Sequence, residues 1–198
     1  MKKNVILSLL AAAIPFVVGG CATKAHYIQT GGRESLVTVN SINIQDFIQA
    51  ANNATSDLLA SGALDKVPNP PAVLAISRIV NNTGQQIDTD LLTKKIRVAL
   101  LNSGKAQTTT TLGLGGAAED PMAKGLQQEN EFKSDQKVTR TPDFTLSGKI
   151  IQTIARDGNT SQSTFSFQLS LTDAKTGLAV WEGEKEITKQ GARPSVGF

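Results

Sequence analysis

The sequence predicts one α+β domain, a small and mostly antiparallel sheet with a carboxy-terminal three-strand meander, flanked by about three helices. Residues 143–188 contain segments of alternating apolar and polar side chains separated by turn sequences, which is typical of a meander. Residues 43–104 hold two apolar patterns of helical period around one continuous β-branched run. The domain is predicted to span residues 40–190, and residues 191–198 are predicted to be a loose tail.

The chain begins with the layout of a secretory signal. Lys2 and Lys3 precede an apolar run over residues 5–18, which is short for a membrane-spanning helix. Residues 19–20 are both glycine, and they precede Cys21, the single cysteine of the chain. An ordinary signal peptide would end in small residues and would not need this cysteine.

The arrangement around Cys21 resembles a bacterial lipobox. That resemblance implies a lipoprotein signal peptide over residues 1–20, acylation of Cys21, and a lipid anchor with a short tether over residues 21–39. An ordinary signal peptide with an unrelated cysteine is the alternative. One acylated cysteine holds a chain at a membrane surface without spanning the membrane.

Composition argues against several classes of function. The formal charge of +3 includes the two signal lysines, so the chain from Cys21 onward has eighteen basic and seventeen acidic residues, which does not favour nucleic-acid binding. A lipidated Cys21 leaves no thiol, and the one histidine, His26, lies in the tether. The sequence therefore predicts no catalytic residue, metal site, cofactor, nucleic-acid partner or small-molecule substrate.

The first helix is predicted to begin after Asn43, a good N-cap residue with Asp46 at the third helical position. Gly62 can end this helix, and the prolines at positions 68–71 exclude its continuation. Its apolar positions recur at helical spacing: Phe47, Ala51, Ala54, Thr55, Leu58 and Leu59.

Residues 72–80 form a nearly continuous apolar run, which predicts a strand covered on both faces. A turn at residues 81–84 leads into a second helix with Asp88 as its predicted cap and Gly104 at its end. The predicted buried stripe of this helix is Leu92, Ile96, Ala99 and Leu100. The basic side chains of Lys94, Lys95 and Arg97 are predicted to form a solvated face, which an acidic partner could use.

The next segment is more polar. Residues 105–111 predict a strand near an edge of the sheet, and the glycine-rich residues 112–118 predict a surface loop. That loop lacks the lysine of a phosphate-binding motif. A third helix is predicted from Asp120 and Pro121 to about Lys133, lying loosely on the surface because its apolar stripe is thin.

The last third predicts three strands. The first opens at Phe144 and ends at the turn residues 157–159, the second alternates strictly through residues 164–172, and the third covers residues 178–188. Alternation with Leu178 and Val180 facing inward would point Trp181 outward. Trp181 is therefore a candidate partner-binding residue, with packing under a helix as the alternative.

The order of these elements resembles the LpoB family. Four segments carry the resemblance: the lipobox at Cys21, AVLAISRIVNNTG at 72–84, ALLNSGK at 99–105 and the meander sequence at 143–184. The resemblance implies a fold related to the amino-terminal domain of TolB. It also implies an outer-membrane lipoprotein that binds and activates a bifunctional penicillin-binding protein from the periplasmic side. The short, proline-poor tether departs from the long, proline-rich tether of that family.

Three functions follow from these expectations. The favoured one is a non-enzymatic activator of a peptidoglycan synthase in cell-wall synthesis, anchored in the outer membrane and facing the periplasm. The second is a structural or assembly lipoprotein of an envelope or secretion complex with the same fold. An enzyme acting on envelope polymers is the third, and the sequence offers no nucleophile and base for it.

Overall fold

The computed structural model describes residues 25–112, 118–134 and 140–192. The predicted signal peptide, Cys21, the glycines at 113–116 and the last six residues lie outside these ranges. The helices and strands are α1 (Ile44–Ala60), β1 (Ala72–Ile76), β2 (Val80–Asn82), α2 (Asp90–Asn102), β3 (Ala106–Thr108), α3 (Pro121–Ser134), β4 (Phe144–Asp157), β5 (Thr160–Asp173) and β6 (Ala179–Ala192). A short 3₁₀ helix, Ala63–Lys66, follows α1.

The sheet confirms the α+β class and the terminal meander but not the predicted strand directions. Its order is β3-β1-β4-β5-β6, with β2 also paired to β4. The pairs β4–β5 and β5–β6 are antiparallel, whereas β1–β3, β1–β4 and β2–β4 are parallel. The sheet is therefore mixed, and the prediction of a mostly antiparallel sheet was wrong.

The parallel pairing of β1, β2, β3 and β4 follows from the connections between these strands. Parallel neighbours need a crossover, and α2 supplies it between β1 and β3. The first four residues of β1 are buried, as expected for a strand inside a parallel arrangement. β3 lies at the edge of the sheet, as its polar sequence predicted.

The apolar run over residues 72–80 forms two short strands where one was predicted. Ile76 pairs with Leu146 and Val80 pairs with Lys149, so three residues oppose two, as in a β-bulge. The backbone N–H of Ser77 donates to the carbonyl of Leu146 at 2.9 Å. This irregularity turns Ile79 into the core, where its exposed fraction is 2%.

The meander is formed by three strands of fourteen residues each. β4 and β5 pair without interruption, from Phe144 opposite Asp173 to Asp157 opposite Thr160. β6 is longer than predicted, since it continues past Thr188 to Ala192 and so includes the first two residues of the predicted tail.

The core lies between one face of the sheet and the helices α1 and α2. The predicted stripe of α1 is confirmed, with Phe47, Ala51, Thr55 and Leu58 buried. The Asp46 carboxylate accepts a 2.7 Å bond from the Asn43 backbone N–H, as the predicted cap requires. From α2 and the sheet the buried apolar residues include Leu92, Ile96, Leu100, Leu74, Phe144, Leu146, Ile150, Phe165, Phe167 and Leu171.

α3 lies on the surface, as predicted. It begins at Pro121, with the Asp120 carboxylate accepting a bond from the Ala123 N–H. Met122, Leu126 and Phe132 expose 77%, 55% and 90% of their surface. Because no described residue of α3 is buried, tertiary packing contributes little to its stability.

Candidate partner-binding surfaces

Trp181 does not point away from the core. It is half-buried and packs against the hydrophobic core, whereas Leu178 and Val180 expose 67% and 44% of their surface. The predicted alternation at the start of β6 was therefore inverted, because a register irregularity at Leu171 and Thr172 shifts the pairing there.

Glycine at position 183 makes room for the Trp181 ring. A methyl group built there would overlap the six-membered ring of Trp181. The tryptophan thus lies along its own strand on the core face. This position gives it a packing role, while a role in partner binding stays a prediction.

A buried lysine connects the predicted tether to the end of the sheet. Lys189 on β6 is 8% exposed, and its Nζ lies 2.5 Å from the carboxylate of Asp46, itself 4% exposed. The same Nζ donates to the Ser41 carbonyl and the Asn43 Oδ1 at 2.7 Å, and to the Thr38 carbonyl at 3.3 Å. We call Lys189 with these four partners the lysine clamp.

Asn40 extends the lysine clamp toward the hairpin between β4 and β5. Its Oδ1 accepts bonds from the hydroxyls of Ser161 and Ser163, both buried, at 3.2 and 2.8 Å. Its backbone carbonyl accepts a bond from the Gln85 side chain, whose Oε1 in turn accepts the Ile42 N–H. Residues 38–43 are therefore fixed to the domain by polar contacts, although the sequence had marked only Asn43 as structurally important.

The domain contains a second buried cation. Arg97 on α2 is 9% exposed and forms an ion pair with Glu119, which precedes α3. Burial lowers the pKa of the Arg97 guanidinium, and the nearby Asp90 carboxylate opposes that shift. The prediction that Arg97 belongs to a solvated face was wrong for this residue, and of the three cations only Lys94 and Lys95 lie toward solvent.

The face of the meander opposite the core is polar. The seven outward positions of β5 are all Ser, Thr or Gln, and β6 adds three exposed glutamates, Glu182, Glu184 and Glu186. A cleft of about 830 Å³ opens on this face, with Asn82, Lys149, Gln168 and Glu184 among the residues that line it.

Hydrogen bonds hold the Glu184 carboxylate in the cleft. The hydroxyl of Ser166 and the amide of Gln168, at 2.7 Å, both donate to Glu184 Oε1. These two bonds, with a smaller contribution from Lys149, lower the pKa of Glu184. The carboxylate is thus held in place, where it can pair with a positively charged group.

The described residues contain no cluster of three or more His, Cys, Asp or Glu side chains placed to hold a metal ion. His26 lies 3.9 Å from Glu34 in the segment before α1. Within the same ranges, no helix is both long enough and apolar enough to cross a membrane.

Comparison with known proteins identifies the family. The sequence model of the peptidoglycan-synthase activator LpoB matches residues 46–187, which is more than half of the chain. The chain belongs to the LpoB family. This confirms the resemblance found in the sequence. The family is one of regulators rather than enzymes, and its members are lipoproteins of the cell envelope.

Solved structures of LpoB are similar to this chain. The LpoB C-terminal domain from Salmonella enterica is 19% identical, with a TM-score of 0.44, covering 72% of this chain and 98% of that one. The corresponding Escherichia coli domain is 18% identical, with a TM-score of 0.42 and the same coverage. An NMR structure of Escherichia coli LpoB is 16% identical, with a TM-score of 0.42, covering 96% of this chain and 94% of its own. No curated protein sequence matches the chain.

Proposed function

We propose that this protein is an outer-membrane lipoprotein, anchored through Cys21, whose periplasmic domain binds and activates a bifunctional penicillin-binding protein. The observation that carries the proposal is the family match over residues 46–187, which extends from the first turn of α1 into β6. The lipobox-like sequence before Cys21 supports the anchor. The protein would regulate peptidoglycan synthesis and perform no chemistry itself.

Activation by a bound domain is a matter of differential affinity. The domain must bind the active conformation of the synthase more tightly than the inactive one, because equal affinity for both shifts no equilibrium. Typical couplings of about 1–3 kcal/mol correspond to roughly 5–150-fold changes. An interface of ordinary size can supply such a difference.

The lysine clamp limits how far the domain can move from the membrane. Thr38 is held by Lys189, so only the stretch between Cys21 and Thr38 can extend. At about 3.3–3.6 Å per residue, this stretch reaches at most about 60 Å. The synthase surface that the domain contacts must therefore lie within that distance plus the size of the domain itself.

The direct test is glycan polymerisation by the purified synthase of the same organism, with and without the full-length lipoprotein in non-ionic detergent. We expect the rate to rise at saturating lipoprotein, by no more than the factor by which the domain prefers the active conformation of the synthase. An unchanged rate, together with no cross-link between the two proteins, would contradict the proposal.

The anchor has its own test in cells. Labelled palmitate should enter the unsubstituted protein and not Cys21→Ala, and the variant should leave the membrane fraction. In-membrane cross-linking should then recover a penicillin-binding protein with the unsubstituted chain. Recovery of secretion or scaffold components would favour the assembly function instead.

A further inference from the structure

We propose that β6 is a docking edge for an extended, basic protein segment, which adds to the sheet as a further strand. β6 is the last strand in the sheet order and pairs only with β5. Within the described ranges, no backbone hydrogen bond joins β6 to any other element. One side of its backbone therefore presents unpaired N–H and C=O groups, which are a template for strand addition.

The edge is unusually accessible for a natural sheet. β6 is fourteen residues long, about 46 Å at 3.3 Å per residue, and it contains no proline. Natural edge strands are commonly short, interrupted by bulges, blocked by proline or protected by charged side chains. Of these devices, the regular part of β6 carries charge. The only irregularity in its pairing lies near its beginning, opposite Leu171 and Thr172, so the stretch from Trp181 onward is regular.

Charge determines which segment fits. Glu182, Glu184 and Glu186 project at alternate positions from the outer face, all three are exposed, and none has an ion pair within 4 Å among the described residues. The Glu184 carboxylate is held in place by Ser166 and Gln168, and Glu182 accepts a bond from Ser170. An added strand with Lys or Arg at alternate positions would place its cations opposite these carboxylates, which stabilises cross-strand pairs.

The same glutamates disfavour a second copy of this chain. If two β6 strands paired antiparallel about any residue from 183 to 185, glutamate would lie opposite glutamate on the outer face, and like charges directly opposite are destabilising.

The test uses the full-length protein and a fluorescent nine-residue peptide in which lysine alternates with valine, followed by anisotropy in non-ionic detergent. We expect saturable binding that weakens at least tenfold in the triple variant E182Q, E184Q and E186Q. A matched triple variant, E34Q, D57N and E129Q, removes the same charge from exposed positions elsewhere and should bind as the unsubstituted protein does. Equal loss in both triple variants, or no binding at all, would overturn the proposal.

Two further measurements separate strand addition from simple charge attraction. A peptide methylated at each central backbone nitrogen keeps its charge but cannot form the ladder, so it should bind at least tenfold more weakly. Amide hydrogen exchange should slow in β6 when the unmethylated peptide binds. Equal binding of the methylated peptide, or formation of a dimer through β6 without peptide, would contradict docking of a basic strand.

Discussion

Two buried cations, Lys189 on β6 and Arg97 on α2, are exposed to nearly the same small extent but are satisfied in different ways. Lys189 has four oxygen partners, one of them a carboxylate that is itself buried, and its Nζ lies 5.4 Å from the centre of the Phe165 ring. Arg97 pairs with Glu119, whose side chain is 46% exposed, and its Nε has no hydrogen-bond partner among the described residues.

The difference shows that burial alone does not measure what a charge contributes. A buried ion whose partner is also buried cannot be removed without leaving the other charge unpaired and desolvated. A buried ion whose partner is exposed can be removed with little loss of stability, because water then solvates the partner. Lys189 should therefore be essential for stability and Arg97 replaceable.

The largest effect is expected for Lys189→Ala. It leaves Asp46 buried without its cation and removes the donor that holds Thr38, Ser41 and Asn43, so we expect a loss of about 3–5 kcal/mol in the free energy of unfolding. Urea unfolding measures this loss. Lys185→Ala, on the same strand and face but only half-buried, should cost far less.

A double variant checks the cause of that loss. Lys189→Met combined with Asp46→Asn removes both charges, and it should recover a substantial part of the stability lost in Lys189→Ala. If the double variant is less stable than Lys189→Ala, the unpaired carboxylate is not the source of the effect.

Asn40→Ala tests the neutral extension of the lysine clamp. It leaves the buried hydroxyls of Ser161 and Ser163 without their acceptor, which should cost about 1–3 kcal/mol. Urea unfolding again measures the change, and Asn52→Ala on the exposed face of α1 is the control. A cost no greater than that of the control would mean that the hydroxyls find other partners.

Arg97→Met should change the free energy of unfolding by less than about 1 kcal/mol. The substitution keeps most of the buried side-chain volume, removes the unpartnered Nε, and leaves Glu119 to water and to Lys94, whose Nζ lies 3.4 Å from Glu119 Oε1. The midpoint of urea unfolding should therefore move little in either direction. A loss as large as that of Lys189→Ala would contradict the contrast between the two cations.

The smallest effect is expected at the exposed Glu184, and it should depend on pH. Its pKa is lowered in the folded state, so its hydrogen bonds stabilise the fold above its ordinary pKa of 4.5, and this contribution is lost as pH falls through the lower folded pKa. The difference in melting temperature between the protein and Glu184→Gln should therefore shrink in acid. In a Ser166→Ala background the pH dependence should be weaker.

The regions predicted well from the sequence are those whose contacts are local or periodic. The cap and stripe of α1 and the alternation of β5 depend on residues a few positions apart, and both are confirmed. The mixed sheet was missed although a strand, a helix and a further strand were predicted in that order, which is the pattern of a parallel crossover. Lys189 was missed because its partners lie more than 140 residues away.

The errors at Trp181 and Arg97 have different causes. Glutamates at positions 182, 184 and 186 could have shown that odd-numbered residues of β6 face the core, but the apolar Leu178 and Val180 suggested the opposite phase. Arg97 was assigned to solvent by its type, but it is buried and forms an ion pair with Glu119, 22 residues further along the chain. No local pattern in the sequence predicts that pairing.

The lysine clamp can form only late in the synthesis of the chain. Thr38 and Lys189 are 151 residues apart, so this contact needs a residue near the end of β6. At about 5–20 residues per second, Lys189 is made roughly 8–30 s after Thr38. Throughout that interval Asp46 has no cation beside it, and the lysine clamp cannot form until the final strand is in place.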